Sequence, residues 1–190
     1  MILLLITTLL AQQPAPEPEV QRVAMEGWRA ARALAPKGGA LDLLGPVNLR
    51  LRELDAMPNT SARYAEIAIR AAVSAAQEER DEMALFLEHA RGLAAQLAAA
   101  GAPARWPLPI DELEGELWLE VDRFIEARDA YARAVAAAPT PNALVGLARA
   151  SDRLGDVVAA CAAYTRAAAT PGLPTTVELE ISMYQLKCRA

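Results

Sequence analysis

The side chains able to do chemistry are few and scattered. The chain carries one histidine, His89, with Glu88 and Arg91 close by. A metal centre needs several ligands of matched type, and only carboxylates fall at helical spacing from His89, so it reads as a structural or surface residue. Covalent catalysis has no better footing, because no Gly-x-Ser-x-Gly elbow is present and neither Cys161 nor Cys188 lies beside a histidine. Lys37-Gly38-Gly39 lacks the spacing of a phosphate-binding loop. The carboxylate groups Glu78-Glu79 and Glu112-Glu114-Glu116 fall in charged helical segments, which are ordinarily solvated. These observations predict no enzymatic activity, no metal and no cofactor. A small helical enzyme would have to join His89 to a carboxylate from another helix.

The elements that would position such groups are helical. Hydrophobic residues make up 54% of the 190 and aromatics only 5%, with alanine abundant and β-branched runs scarce, so an all-α chain is expected. A length of 190 allows one continuous helical core. The formal charge of −5 and the absence of a Lys/Arg cluster argue against nucleic-acid binding. Val20, Val23, Ala24, Trp28, Ala31 and Leu34 recur at helical spacing and predict a first amphipathic helix. A second is expected over 41–54, with Pro46 breaking or starting it. Asn59, Thr60 and Ser61 offer caps for a third, whose stripe is Tyr64, Ile67, Ala68, Ala71 and Ala72. A fourth, over 79–100, ends at Gly101 and Pro103.

The clearest pattern lies in residues 108–171, where one helical hairpin is written twice. Phe124, Ala127, Tyr131 and Ala134 stand opposite Val157, Ala160, Tyr164 and Ala167, each pair 33 residues apart. Steps of three and four place each set on one helix face, with alanine where helices approach closely and tyrosine filling a gap. Asp111 with Glu114, and later Thr175 with Glu178, have capping-box spacing. Thr140 and Pro141 restart the chain after Pro139, and Gly155-Asp156 makes a tight turn.

On these residues the chain resembles the tetratricopeptide repeat family. The match is Gly115, Trp118, Phe124, Ala127, Tyr131, Ala134 and Pro139 in the first unit. In the second it is Leu144, Leu147, Ala148, Gly155, Asp156, Ala160, Tyr164, Ala167 and Pro171. Glu114 stands where the family has an apolar residue, Asp122 replaces the turn glycine, Ser151 replaces an aromatic, and the period is one residue short. The resemblance implies a short right-handed solenoid of helical hairpins, with units at 108–139 and 140–171 and a capping helix at 175–188. The third and fourth helices form a degenerate hairpin packed on the clearer pair.

Stacked in the family's manner, the end of the capping helix falls near the start of the helix carrying Cys161, which implies a Cys161–Cys188 disulfide. The alternative is a buried Cys161 acting as a small apolar residue and a free Cys188 on a frayed end. The family's concave surface is lined by the first helix of each hairpin. Carried over, this predicts a protein-binding groove of Glu112, Glu116, Leu119, Glu120, Asn142, Val145, Arg149, Asp152 and Arg153. The family's grip on a C-terminal carboxylate needs a run of basic and amide residues, which the acidic first unit contradicts. A mixed surface of this kind suits a segment of a particular protein, extended or helical.

Residues 1–11 (MILLLITTLLA) are apolar, uncharged and too short to span a bilayer core of about 30 Å. They read as a secretory signal peptide, although no Lys or Arg precedes the run, or else as a buried N-terminal helix. Residues 12–19 read as an extended proline-rich linker ahead of a single domain over 20–190. The resulting expectation is an exported, periplasmic or envelope-associated adaptor without a membrane span in its mature chain. Two alternatives stand beside it: a permanent structural subunit of a larger envelope assembly, and the small helical enzyme.

Overall fold

A computed structural model describes residues 17–34, 44–170 and 173–188. These form helices α1 (Glu17–Arg32), α2 (Leu44–Asp55), α3 (Thr60–Ala76), α4 (Arg80–Ala99), α5 (Ile110–Glu120), α6 (Phe124–Ala137), α7 (Pro141–Arg153), α8 (Val157–Ala168) and α9 (Thr175–Lys187), with no strand among the described residues. The apolar run 1–11, the Lys37-Gly38-Gly39 stretch, Pro171 and Gly172 lie outside them. No described helix is long and apolar enough to cross a membrane.

Local signals explain most helix starts. Asn59 accepts a hydrogen bond from the Ala62 N–H to open α3, Thr140 does the same for Ala143 ahead of Pro141 in α7, and Asp156 caps α8 through Ala159. Three expectations are corrected. Glu17, Pro18 and Glu19 belong to α1 rather than to a linker, since a first-turn proline needs no N–H and glutamates there meet the positive end of the helix. Neither capping box forms: α5 and α9 start from Pro109 and Pro174 without a side-chain cap. Asp111 and Glu114 instead take Arg91 of α4 and Arg133 of α6 at 2.5–3.0 Å. With α5 already begun at Ile110, Asp111 lies inside the first turn rather than at the cap, and both carboxylates are left to pair with guanidiniums.

The helices pack in chain order. α1 contacts α2 and α3, α3 contacts α4 and α5, α5 contacts α6 and α7, and α7 contacts α8. The connecting contacts α2–α3, α4–α5, α6–α7 and α8–α9 complete the run. At the tight turns between α3 and α4, α5 and α6, and α7 and α8, the residues Glu78, Asp122 and Gly155 all have left-handed φ, at 62°, 61° and 80°. Glycine adopts that conformation freely, whereas a side chain pays for it.

One large core of valine, leucine, isoleucine and alanine runs from α1 to α5, and a smaller one joins α7, α8 and α9. Between them α6 contributes mainly Ala127, Ala130, Ala134 and Tyr131. The Tyr131 ring fills space that two glycines leave open. A Cβ on Gly115 would come within 2.7 Å of the ring, and one on Gly146 within 2.1 Å. A mid-helix glycine costs about 1 kcal/mol against alanine, and the close seating of the ring is what that cost permits.

Cys161 and Cys188 are disulfide-bonded with Cα atoms 5.8 Å apart, so the reading of two free thiols is overturned. Closing a loop of 27 residues stabilises by about 3.5 kcal/mol in the chain-entropy model. Thiol labelling of denatured, unreduced protein is therefore expected to find no free cysteine, and reduction to lower the unfolding free energy by about 3 kcal/mol; two labelled thiols would refute the pairing. Glu78→Gly is expected to stabilise by about 1 kcal/mol in urea titration, by removing a strained exposed turn residue.

Candidate functional site

Five of the nine groove residues nominated from the sequence come together. Glu112 and Glu116 of α5 and Asn142, Val145 and Arg149 of α7 line one pocket of about 230 Å³. Trp28 of α1, Leu108, Tyr131 of α6 and Val177 of α9 complete it. The other four lie outside. Leu119 does not line the pocket, and Glu120 is bound to Arg32 of α1. Asp152 accepts hydrogen bonds from the Tyr184 hydroxyl at 2.6 Å and from Lys187 Nζ at 2.5 Å. Arg153 stacks 4.4 Å from the Phe124 ring centre and reaches Asp122 at 3.1 Å.

Arg149 is less available than its outward placement suggested. Its guanidinium binds both oxygens of Glu180 on α9, at 2.8 and 2.5 Å, and the Tyr164 hydroxyl donates to the same carboxylate at 2.7 Å. The residue is therefore a clasp for α9 as well as part of the pocket wall. Glu180 is held below the ordinary glutamate value, chiefly by Arg149 and also by Tyr164, against an opposing desolvation. Asp152 is likewise held low, first by Lys187 and then by Tyr184.

The acidic residues of α5 depart most from the solvated surface expected of them. Glu112 and Glu114 are only 6% and 8% exposed, and Glu66 of α3 only 1%. A buried carboxylate is costly unless paired. Glu66 is flanked by Arg63 and Arg70, and Glu114 by Arg91 and Arg133. Glu112 has no such clamp. Its Oε1 accepts a hydrogen bond of 2.7 Å from Thr140, the hydroxyl that also caps α7. Among the described residues no lysine or arginine pairs with it. Burial pushes the Glu112 carboxyl above its ordinary value, the Thr140 bond opposes that shift, and Glu116 adds to it.

Glu116 is better compensated, accepting from Arg32 at 3.0 Å and from the Tyr131 hydroxyl at 2.9 Å. Of the charged residues that line the pocket, Glu112 and Glu116 are acidic and Arg149 is basic. The site is net negative. Glu112 also borders a second, largely apolar recess of about 450 Å³ beside α4 and α6, walled by residues such as Ala94, Ala98, Ala134 and Ile110.

Sequence reasoning missed Trp28, Leu108 and Val177 as lining residues, and it treated Tyr131 only as packing. Trp28 had one signal, an arginine four residues later: Arg32 sits 5.6 Å from its ring centre and reaches across to α5. His89 is exposed on α4, away from the pocket lining.

The raised Glu112 value sets a sign for pH dependence. The folded chain keeps this proton to a higher pH than the unfolded chain does. Stability from Glu112 is therefore full below the ordinary glutamate range and is lost as pH rises through the folded value. Glu112→Gln is expected to flatten the melting temperature between about pH 4 and neutrality, leaving the variant at least as stable as the parent at neutral pH. Parallel curves for the two proteins would show that Glu112 ionises normally.

No family model, no curated protein and no solved structure matches this chain.

Proposed function

We propose that this chain is a non-enzymatic adaptor that holds a segment of another protein in the groove along α1, α5, α7 and α9. The observation that carries this reading is the pocket in which Glu112, Glu116, Asn142, Val145 and Arg149 meet Trp28 and Val177, on helices well separated in sequence. A groove built from several helices, polar at its centre and aromatic at one wall, suits recognition of a defined segment more than a generic surface.

The architecture in this proposal is the tetratricopeptide-like right-handed solenoid, with paired helices α1–α2, α3–α4, α5–α6 and α7–α8 followed by α9. The order of helix contacts supports it, as do the three left-handed turn residues. Export to the periplasm or envelope is part of the same proposal. The Cys161–Cys188 disulfide supports it, because such bonds persist in oxidising compartments.

One observation favours a second reading, a permanent structural subunit. Leu179, Met183 and Leu186 are all exposed along one stripe of α9, whereas a terminal helix that caps an array presents a polar outer face. The two readings separate by site-specific photocrosslinking in the native envelope. Adaptor function predicts a partner crosslinked from Asn142 and not from Met183. A partner captured from Met183 alone would overturn the adaptor in favour of the structural subunit.

A further inference from the structure

We propose that the pocket lined by Glu112 receives the ammonium group of a lysine side chain from the bound partner, an inference that rests on the groove reading above. Three observations converge on it. The first is the contrast among buried glutamates. Glu66 and Glu114 are each flanked by two arginines, while Glu112, equally buried, has only a neutral hydroxyl. The missing cation has a place to come from, because Glu112 opens on the pocket.

The second observation is charge. Two lining carboxylates, Glu112 and Glu116, against one guanidinium, Arg149, leave the pocket net negative, so a cation entering it is attracted, whereas a carboxylate is repelled. The third is geometry. With Thr140 occupying Oε1, Glu112 offers a single open oxygen, Oε2. Both Glu116 oxygens already accept bonds from Arg32 and Tyr131. A guanidinium fork needs two parallel acceptors, and a compact ammonium needs one at a time. Trp28 and Val177 supply apolar surface for the alkyl stem. The volume of about 230 Å³ is below the roughly 300–1,000 Å³ of sites for drug-sized ligands, and suits one side chain.

The test is titration of the full, disulfide-intact chain with Nα-acetyl-lysine N-methylamide by NMR. The norleucine analogue serves as the uncharged match and 1,5-diaminopentane as a free amine. Saturable binding of the lysine derivative is expected, with none for norleucine. Glu112→Gln should weaken it about tenfold or more, the usual worth of a hydrogen bond to a charged group. Trp28→Leu, which leaves Glu112 in place, should weaken it too. Binding that survives Glu112→Gln unchanged, or no binding of the lysine derivative, would overturn the proposal. Binding of the diamine alone would overturn the assignment to a partner's side chain.

The two readings fail separately. A crosslink from Asn142 that is unaffected by Glu112→Gln, together with no ammonium binding, sinks the lysine pocket and leaves the adaptor standing. Glu112-dependent ammonium binding without any Asn142 crosslink sinks the adaptor and with it the assignment to a partner's lysine, and leaves an ammonium site alone.

Discussion

The seating of Tyr131 is the constraint on which the rest of the molecule depends. Its ring occupies space that Gly115 of α5 and Gly146 of α7 leave open, so one side chain sets the separation of three helices. The two apolar cores meet across an alanine-lined seam, and alanine has little surface to bury. Tyr131 is the only large buried side chain of α6, and its hydroxyl is anchored on Glu116. The same ring is part of the pocket. Packing and pocket therefore share a side chain here.

Charge is distributed by the same logic. The chain places glutamates in its interior and pairs them with arginines, Glu66 with Arg63 and Arg70 of its own helix and Glu114 with Arg91 and Arg133 of neighbouring ones. Arg91 and Arg133 link α4 and α6 through Asp111 and Glu114, two carboxylates of α5. Such networks fix the relative positions of helices more than they add net stability, since desolvation offsets much of the Coulomb gain. Glu112 departs from that rule. Its carboxylate is buried with a neutral hydroxyl as its partner, which costs free energy that the arginine-flanked glutamates recover in part.

The C-terminal helix is held by several independent contacts. The Cys161–Cys188 bond, the Arg149–Glu180 pair, the stacked rings of Tyr164 and Tyr184 at 4.5 Å and the Asp152 contacts all tie α9 to α7 and α8. Only Ile181 of α9 is fully buried. Polar and covalent contacts thus supplement the limited apolar packing of Ile181, Val177 and Tyr184, and Leu179, Met183 and Leu186 are left facing outward.

Helix content and most helix boundaries were legible in the sequence because they depend on near neighbours. The caps at Asn59, Thr140 and Asp156, the turn at Gly155 and the three- and four-residue spacing around Tyr131 and Tyr164 are local signals. That Glu112 and Glu116, and Asn142, Val145 and Arg149, fall together in the pocket lining was legible for the same reason, since side chains on one helix share a face whatever the helix packs against. Tertiary structure alone decided the rest. Asp111 and Glu114 read as a cap, but two arginines from other helices claimed them. Glu112 read as solvated surface, but it is bonded by Thr140 from the next hairpin and lines a pocket whose neighbouring Glu116 is reached by Arg32 of α1. Trp28 and Val177 entered the site from opposite ends of the chain. The physical reason is range: a helix and its cap are settled within a few residues, whereas burial and ion pairing depend on which distant segments fold against them.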